Sequence, residues 1–98
     1  MPLNAAQKKN LRGRAHHLKP FVTVADKGLS ASVVAEIERA LNDHELIKVK
    51  LAAEKAERSA MIETITAASG ALLVQHIGQI AVLFRRNEKK PKVVLPSQ

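Results

Sequence analysis

The 98-residue chain has no cysteine and few aromatic residues. Without cysteine it forms neither disulfides nor thiolate metal sites, and this composition is typical of a reducing compartment. Phe21 and Phe84 are its only Phe, Tyr or Trp residues. We therefore expect an aliphatic core of Leu, Ile, Val and Ala, and the length suits one compact domain.

Long apolar segments are also missing. The longest apolar runs, "ALLV" and "IAVLF", are far shorter than the roughly 20 residues that cross a bilayer. No apolar stretch follows the positive charges near the N-terminus, so the sequence predicts no secretory signal. We expect a soluble cytoplasmic protein.

What the chain has in excess is positive charge, and that charge is unevenly distributed. The net charge is +7 and the isoelectric point is near 10.2. Residues 1–28 carry six bases and one acid (net +5), residues 29–84 five bases and seven acids (net −2), and residues 85–98 five bases and one acid (net +4). This segregation favours a polyanionic partner: nucleic acid first, an anionic membrane surface second.

Hydrophobic periodicity predicts three helices and four strands in the order αβαβαββ. Asn4 and Gln7 have capping-box spacing, Ser30 is a good N-cap, and Gly70 stands where a left-handed C-cap is usual. Gly78 fits the first central position of a type II′ hairpin turn. The predicted ranges, in chain order, are 4–17, 20–25, 30–44, 46–52, 54–69, 71–77 and 80–86.

These elements predict one α/β domain over residues 1–98, with a core of about 3–86 and a basic tail, 87–98, that either adds a short edge strand or stays loose. The sheet is mixed: strands one to three run parallel, with strand four antiparallel to strand three. The helices are expected mainly on one face. The other face, where Lys48 and Lys50 point, is expected to be partly open. The docking site of helix one is left undetermined.

Spacing also predicts which helix positions face the core. On helix one these are Leu11, Ala15 and Leu18. The predicted inward residues of helices two and three are Val33, Val34, Ile37, Ala40, Leu41, His44, Ala56, Ala60, Met61, Ile65 and Ala68.

Asp26, Lys27 and Gly28 separate the first strand from the second helix, and two interpretations of them compete. One is an ordinary tight turn with glycine at a positive φ. The other is a loop that lets a phosphate approach the backbone at a helix start. Cations elsewhere, on helix one and the second strand, favour a phosphate-binding surface.

The segments "LRGRAHHLKPFVTVADKGLS" and "ALNDHELIKVKL" resemble the CRM domain, an RNA-binding module named for chloroplast RNA splicing and ribosome maturation, and especially its stand-alone bacterial YhbY-type members. The resemblance implies a fold similar to the C-terminal domain of translation initiation factor three. It also implies binding of structured RNA and a link to large-subunit precursors. The family's G-x-x-G loop falls on residues 25–28, where Ala25 replaces the first glycine.

We therefore predict a non-catalytic RNA-binding protein that binds structured ribosomal RNA during large ribosomal subunit assembly. We expect a monomer with no cofactor, no metal and no membrane partner. Few aromatics argue against base stacking as the main contact. Arg14 is expected to pair with an acid. The predicted RNA contacts are Lys27, Gly28, Lys8, Lys9, Arg12, Lys19, Lys48, Lys50, Arg85 and Arg86. The alternative is a basic adaptor for proteins or anionic membranes without RNA specificity.

Catalysis has little support in the sequence. The four histidines lack metal-ligand spacing, and no Walker loop, dinucleotide fingerprint or serine elbow is present. His44 is expected to be a partly buried, hydrogen-bonded histidine rather than a catalytic base. Asp26 and Glu45 do not form a convincing acid–base pair.

Overall fold

The computed structural model of the protein describes residues 3–25 and 28–95, and its elements follow the predicted αβαβαββ order. The helices are shorter than the sequence predicts by one or two residues at their ends, and β1 is reduced to three residues. The elements are α1 Ala5–Ala15, β1 Val22–Val24, α2 Ala31–His44, β2 Leu46–Leu51, α3 Lys55–Ser69, β3 Leu72–Ile77 and β4 Ile80–Phe84.

Short polar signals set the helix ends. The Asn4 side chain accepts a hydrogen bond from the Gln7 N–H at 2.8 Å, and the Gln7 side chain accepts one from the Asn4 N–H at 3.1 Å, so the predicted capping box is confirmed. The Ser30 hydroxyl accepts from the Val33 N–H at the start of α2. Gly70 ends α3 with φ of 73°, a left-handed conformation that glycine adopts without strain.

The sheet has the strand order β1-β2-β4-β3. β1 and β2 are parallel, and β4 is antiparallel to both β2 and β3. The first three strands thus run in one direction, as predicted, but β4 lies between β2 and β3. The continuous apolar run of β4 explains this position, because a strand buried on both faces needs one. β3 is left at the edge, where Leu73 and Ile77 stay exposed.

The first core lies between the sheet and helices α2 and α3. Ile47, Val49 and Leu51 of β2 point into it, as their alternation predicts. The prediction for α3 was wrong in part: Ile62 is buried with Ile65, whereas the alanines at positions 56, 60 and 68 are exposed. Alanine buries little apolar area, so the larger isoleucines decide which side of the helix faces the sheet.

Helix α1 packs on the opposite face of the sheet, so that face is less open than predicted. Leu11 and Ala15 are buried there against Leu46 and Phe84. Val93 joins this second core, and residues 93–95 pack along it instead of staying loose or forming an edge strand. The sheet therefore has two helices on one face, and one helix with the C-terminal segment on the other.

Glu45, between α2 and β2, is a completely buried carboxylate. It has a positive φ of 62° and accepts backbone N–H groups of Asn87 (2.6 Å), Val93 (2.7 Å) and Lys92, with the Arg86 guanidinium at 3.2 Å. Burial raises its pKa, but these N–H groups and Arg86 together outweigh that effect, so the pKa lies below the usual 4.5. Glu45 therefore anchors the chain after β4.

Replacing this carboxylate by an amide tests its role. Glu45→Gln removes the charge and turns an NH₂ group toward N–H donors, so we expect the free energy of unfolding at pH 7 to fall by about 2–4 kcal/mol. Because the folded pKa is lowered, the carboxylate stabilises the fold above its unfolded pKa. That contribution disappears as the pH falls through the folded pKa. Urea unfolding between pH 7 and pH 3 measures it.

The matched control is Glu63→Gln, on the exposed side of α3. It should change the unfolding free energy by less than about 0.5 kcal/mol. If Glu45→Gln is as stable as the wild type at pH 7, or if the difference between them does not shrink below pH 4.5, the carboxylate is not the anchor.

Candidate nucleic-acid interface

The two faces of the sheet differ in net charge, although the α2–α3 face carries the bases Arg39, Lys55 and Arg58 beside its acids. Helix α1 and all four strands contain no acidic residue, whereas α1 and the α1 side of β2 carry a set of bases. No described carboxylate lies within 4.0 Å of the nitrogen atoms of those bases. They are Lys8, Lys9, Arg12, Arg14, Lys48 and Lys50. The acids of the opposite face, on α2, α3 and the α3 N-cap, are Glu36, Glu38, Asp43, Glu54, Glu57 and Glu63.

Arg12, His16 and Lys48 line one cleft between α1 and the sheet, with a volume of about 200 Å³. The Lys48 ammonium donates a hydrogen bond to the Leu18 carbonyl at 2.9 Å, just beyond the end of α1. This bond places Lys48 at the cleft wall, and Arg12 lies exposed on the opposite wall. Two cations 36 positions apart in the sequence thus line the same cleft.

Lys50 extends this surface toward the loop that follows β1. It is exposed and lies opposite Thr23 of β1 and Ile80 of β4. Val24, the next residue of β1, is the last before the loop, and its carbonyl accepts from the Ala52 N–H at 2.8 Å. The Lys50 side of the sheet and the start of the loop therefore share one edge of the molecule.

Gly28 has φ of 64°, and its N–H donates to the Ala25 carbonyl at 2.8 Å. The positive φ of Gly28 agrees with the tight-turn interpretation of this segment. A Cβ atom at Gly28 would meet no heavy atom within 4 Å, so this side of the loop is also open to a ligand. Asp26 and Lys27 lie outside the described residues, and contact by Lys27 stays a prediction.

The remaining cations of helix one take different positions. Lys8 lies one turn before Arg12 on the same side of α1 and is exposed. Lys9 borders a separate open face with Asn10 and Gly13. Lys19 is exposed in the connection to β1. We define the cationic face as Lys8, Arg12, Lys48, Lys50 and the loop end at Gly28.

Arg85 is held by groups of the protein itself. Its guanidinium pairs with Glu38 at 2.8 Å and donates to the Ser69 carbonyl and to the Asn42 side chain, both at 2.9 Å. It thereby joins the ends of α2 and α3. Because its charge is already paired with a carboxylate, we leave it out of the cationic face.

Arg86 is also held within the fold. It pairs with buried Glu45, donates to the Val93 carbonyl at 2.8 Å, and lies 5.4 Å from the ring centre of Phe84. The sequence alone does not predict this role of Glu45, because its partners lie more than 40 positions away. We leave Arg86 out of the cationic face as well.

Two further side chains differ from expectation. The contacts of Arg14 are with the Asn10 side chain at 2.8 Å and the Val94 carbonyl at 2.9 Å, not with an acid. His44 is exposed rather than partly buried. The buried stripe of α2 ends at Leu41, and the His44 ring instead stacks on Phe21 with centroids 4.5 Å apart.

In the described part of the chain, no three His, Cys, Asp or Glu side chains are grouped closely enough to hold a metal ion. Among its helices, the longest of which is the 15-residue α3, none combines the length and hydropathy needed to cross a membrane.

Comparisons with known proteins show which family the chain resembles. The sequence profile of the CRS1 / YhbY (CRM) domain matches residues 3–85. A Pseudomonas aeruginosa protein named "Probable RNA-binding protein" is 52% identical over 93 residues, 94% of this chain and 89% of that protein. A Haemophilus influenzae RNA-binding protein is 47% identical over 95 residues, 96% of this chain and 95% of that one.

A solved structure extends the match to three dimensions. The solution structure of a hypothetical protein from Staphylococcus aureus, described as an RNA-binding candidate, aligns with a TM-score of 0.82 at 29% identity. The alignment covers 97% of this chain and all of that one. The predicted fold class is thereby confirmed.

Proposed function

The chain belongs to the CRS1 / YhbY (CRM) domain family, and on that premise we propose that it binds structured RNA on its cationic face without catalysing a reaction. The observation that carries the proposal is the position of Arg12, Lys48 and Lys50 on the α1 side of the sheet, where neither α1 nor any strand has an acidic residue. Such a surface attracts a phosphate backbone and releases its counterions.

The shape of the cationic face favours folded RNA over an extended single strand. Its cations project from a helix and from an adjoining strand, and neither phenylalanine of the chain lines the cleft between them. Contacts to phosphate and sugar position a protein on a nucleic acid and carry little sequence information. Recognition on this face therefore depends on the shape of the RNA backbone.

The loop at Gly28 adds the N-terminal end of α2 to this surface, while the Gly28 N–H itself is bonded to the Ala25 carbonyl. The N-terminus of α2 carries partial positive charge, and an open glycine at its entrance lets a phosphate oxygen come close. Lys27, which precedes Gly28, is proposed as a further phosphate contact on sequence grounds.

We also propose that the RNA is ribosomal and that the protein acts, as a cytoplasmic monomer, in assembly of the large ribosomal subunit. The support is the link to large-subunit precursors that the family resemblance implies. Named relatives, two of them 52% and 47% identical, support RNA as the partner. Crosslinking in cells followed by sequencing of the attached RNA tests the ribosomal assignment, and enrichment of RNAs other than ribosomal RNA would contradict it.

Charge reversal on the cationic face is the first test. In Arg12→Glu with Lys50→Glu, two phosphate contacts become repulsive, so we expect the affinity for a folded ribosomal RNA fragment to fall at least tenfold. Fluorescence anisotropy at one fixed salt concentration measures it, with circular dichroism to establish folding. Arg39→Glu with Lys55→Glu makes the same change of charge at exposed positions of α2 and α3.

The control pair should bind almost as tightly as the wild type, apart from a small loss from net charge. Equal losses for the two double variants would mean that charge alone, and not this face, determines binding. Pelleting with anionic vesicles addresses the alternative: loss of vesicle binding without loss of RNA binding would favour the membrane adaptor.

The loop is tested by two substitutions of nearly equal shape. Asn and Asp both tolerate a positive φ better than other side chains do, so Gly28→Asn and Gly28→Asp should be similarly stable and differ mainly in charge. We expect Gly28→Asp to bind the RNA about fivefold or more weakly than Gly28→Asn. Equal affinities in anisotropy titrations would show that no phosphate lies near the loop.

A further inference from the structure

A second surface with the chemistry of nucleotide binding lies beside the cationic face. Phe21 precedes β1 and His44 ends α2, and their rings stack with an interplanar angle of 13°. Phe21 is 41% exposed to solvent, whereas Phe84, the other Phe residue of the chain, is buried. A single exposed apolar ring is ordinary, but an apolar patch rimmed by polar groups is a feature of binding surfaces.

The stacked rings border a groove of about 210 Å³ between α1 and the end of the sheet. Leu18, Leu46 and Val93 form its apolar lining, and the Arg14 side chain lies at its wall. The groove and the cleft of the cationic face meet at the hydrogen bond between Lys48 and Leu18, because Lys48 lines the cleft and Leu18 lines the groove.

The cation at this groove is fixed in place. Arg14 donates from Nε to Asn10 and from Nη2 to the Val94 carbonyl, which restrains the guanidinium without neutralising it. Beyond the Val93 wall, Lys92, Lys90 and Lys89 are exposed. The backbone N–H groups of this segment donate to the side chains of Asn87 and Glu45. The backbone that carries the three ammonium groups is therefore restrained.

We propose that this groove binds one unpaired nucleobase of the RNA, stacked on the Phe21–His44 pair, with the adjoining phosphate at Arg14 and Lys92. The inference rests on the proposed function, since it places a base of the same RNA that the cationic face holds by its backbone. A ring face supplies stacking to any base, and a neighbouring guanidinium adds phosphate and cation–π contacts.

The spacing of the two surfaces suits this arrangement. Phe21 and Ala25 stand at the two ends of β1, about 13 Å apart at the usual rise of about 3.3 Å per residue. A duplex lying on the cationic face can therefore place a base that leaves the stack into the groove. Single-base bulges and loops are the positions where folded RNA presents such bases.

The experiment compares two hairpin RNAs that are identical except for one bulged adenosine. We expect the wild type to bind the bulged hairpin about tenfold more tightly than the fully paired one, and Phe21→Ala to abolish that preference while leaving affinity for the paired hairpin unchanged. With 2-aminopurine at the bulge, the wild type should quench its fluorescence and Phe21→Ala should not.

Phe21→Tyr keeps an aromatic ring and should retain both the preference and the quenching. Phe21→Leu keeps apolar bulk without a ring and should lose both. This pair separates stacking from packing, because a purely structural role would allow leucine to substitute. Circular dichroism melting shows that each variant is folded.

The outcomes separate the two proposals. If the wild type binds both hairpins equally, or if leucine preserves the preference, the base site is wrong while the cationic face stands. If the Arg12→Glu, Lys50→Glu variant binds both hairpins as the wild type does, the cationic face is wrong instead. If the wild type binds neither hairpin, the proposed function fails and the base site fails with it.

Discussion

The alternation of side chains along β2 determines both where the cores lie and where the cations lie. Ile47, Val49 and Leu51 face α2 and α3, whereas Lys48 and Lys50 face the α1 side. A shift of one residue in the pairing of β2 would turn both lysines into the apolar core, where an unpaired charge costs several kcal/mol. The fold and the cationic face are therefore consequences of the same strand register.

Glu45, directly before β2, links this strand to the C-terminal segment that follows β4. Its carboxylate holds the segment from Asn87 to Val93 across the end of the sheet, and Arg86 is held with it. Val93 then completes the second core under α1. The buried Glu45 carboxylate thus holds Val93 where α1 packs on it. The same carboxylate restrains the backbone of the Lys89–Lys92 segment.

Much of this arrangement is predictable from local patterns. The capping box at Asn4, the turn at Gly78 and the alternation of β2 each depend on neighbours in sequence, and all three are present. Local patterns do not predict that β4 lies between β2 and β3, because its position depends on which place in the sheet buries an apolar strand most completely. The prediction for α3 is right for Met61 and Ile65 and wrong for the three alanines, since alanine spacing carries little free energy.

The candidate site shows the same division. Arg12 and Lys48 line one cleft for two reasons: the periodicity of their helix and strand, and the packing of α1 on the sheet. Only the periodicity can be predicted from the sequence. The pairing of Arg85 with Glu38 and of Arg86 with Glu45 joins residues more than 40 positions apart, so composition cannot distinguish these arginines from free cations. The Phe21–His44 stack joins residues 23 positions apart, so local patterns do not predict it either.

A difference in net charge between the two faces of one sheet is the central physical claim, since it favours phosphate binding on the α1 side. The salt dependence of the association constant for a folded RNA tests it most directly. If the four side chains of the cationic face each displace one counterion, the slope of log K against log salt should be about −3, and steeper if Lys27, Arg14 and Lys92 also contact phosphate. A slope near zero would contradict this account of the protein.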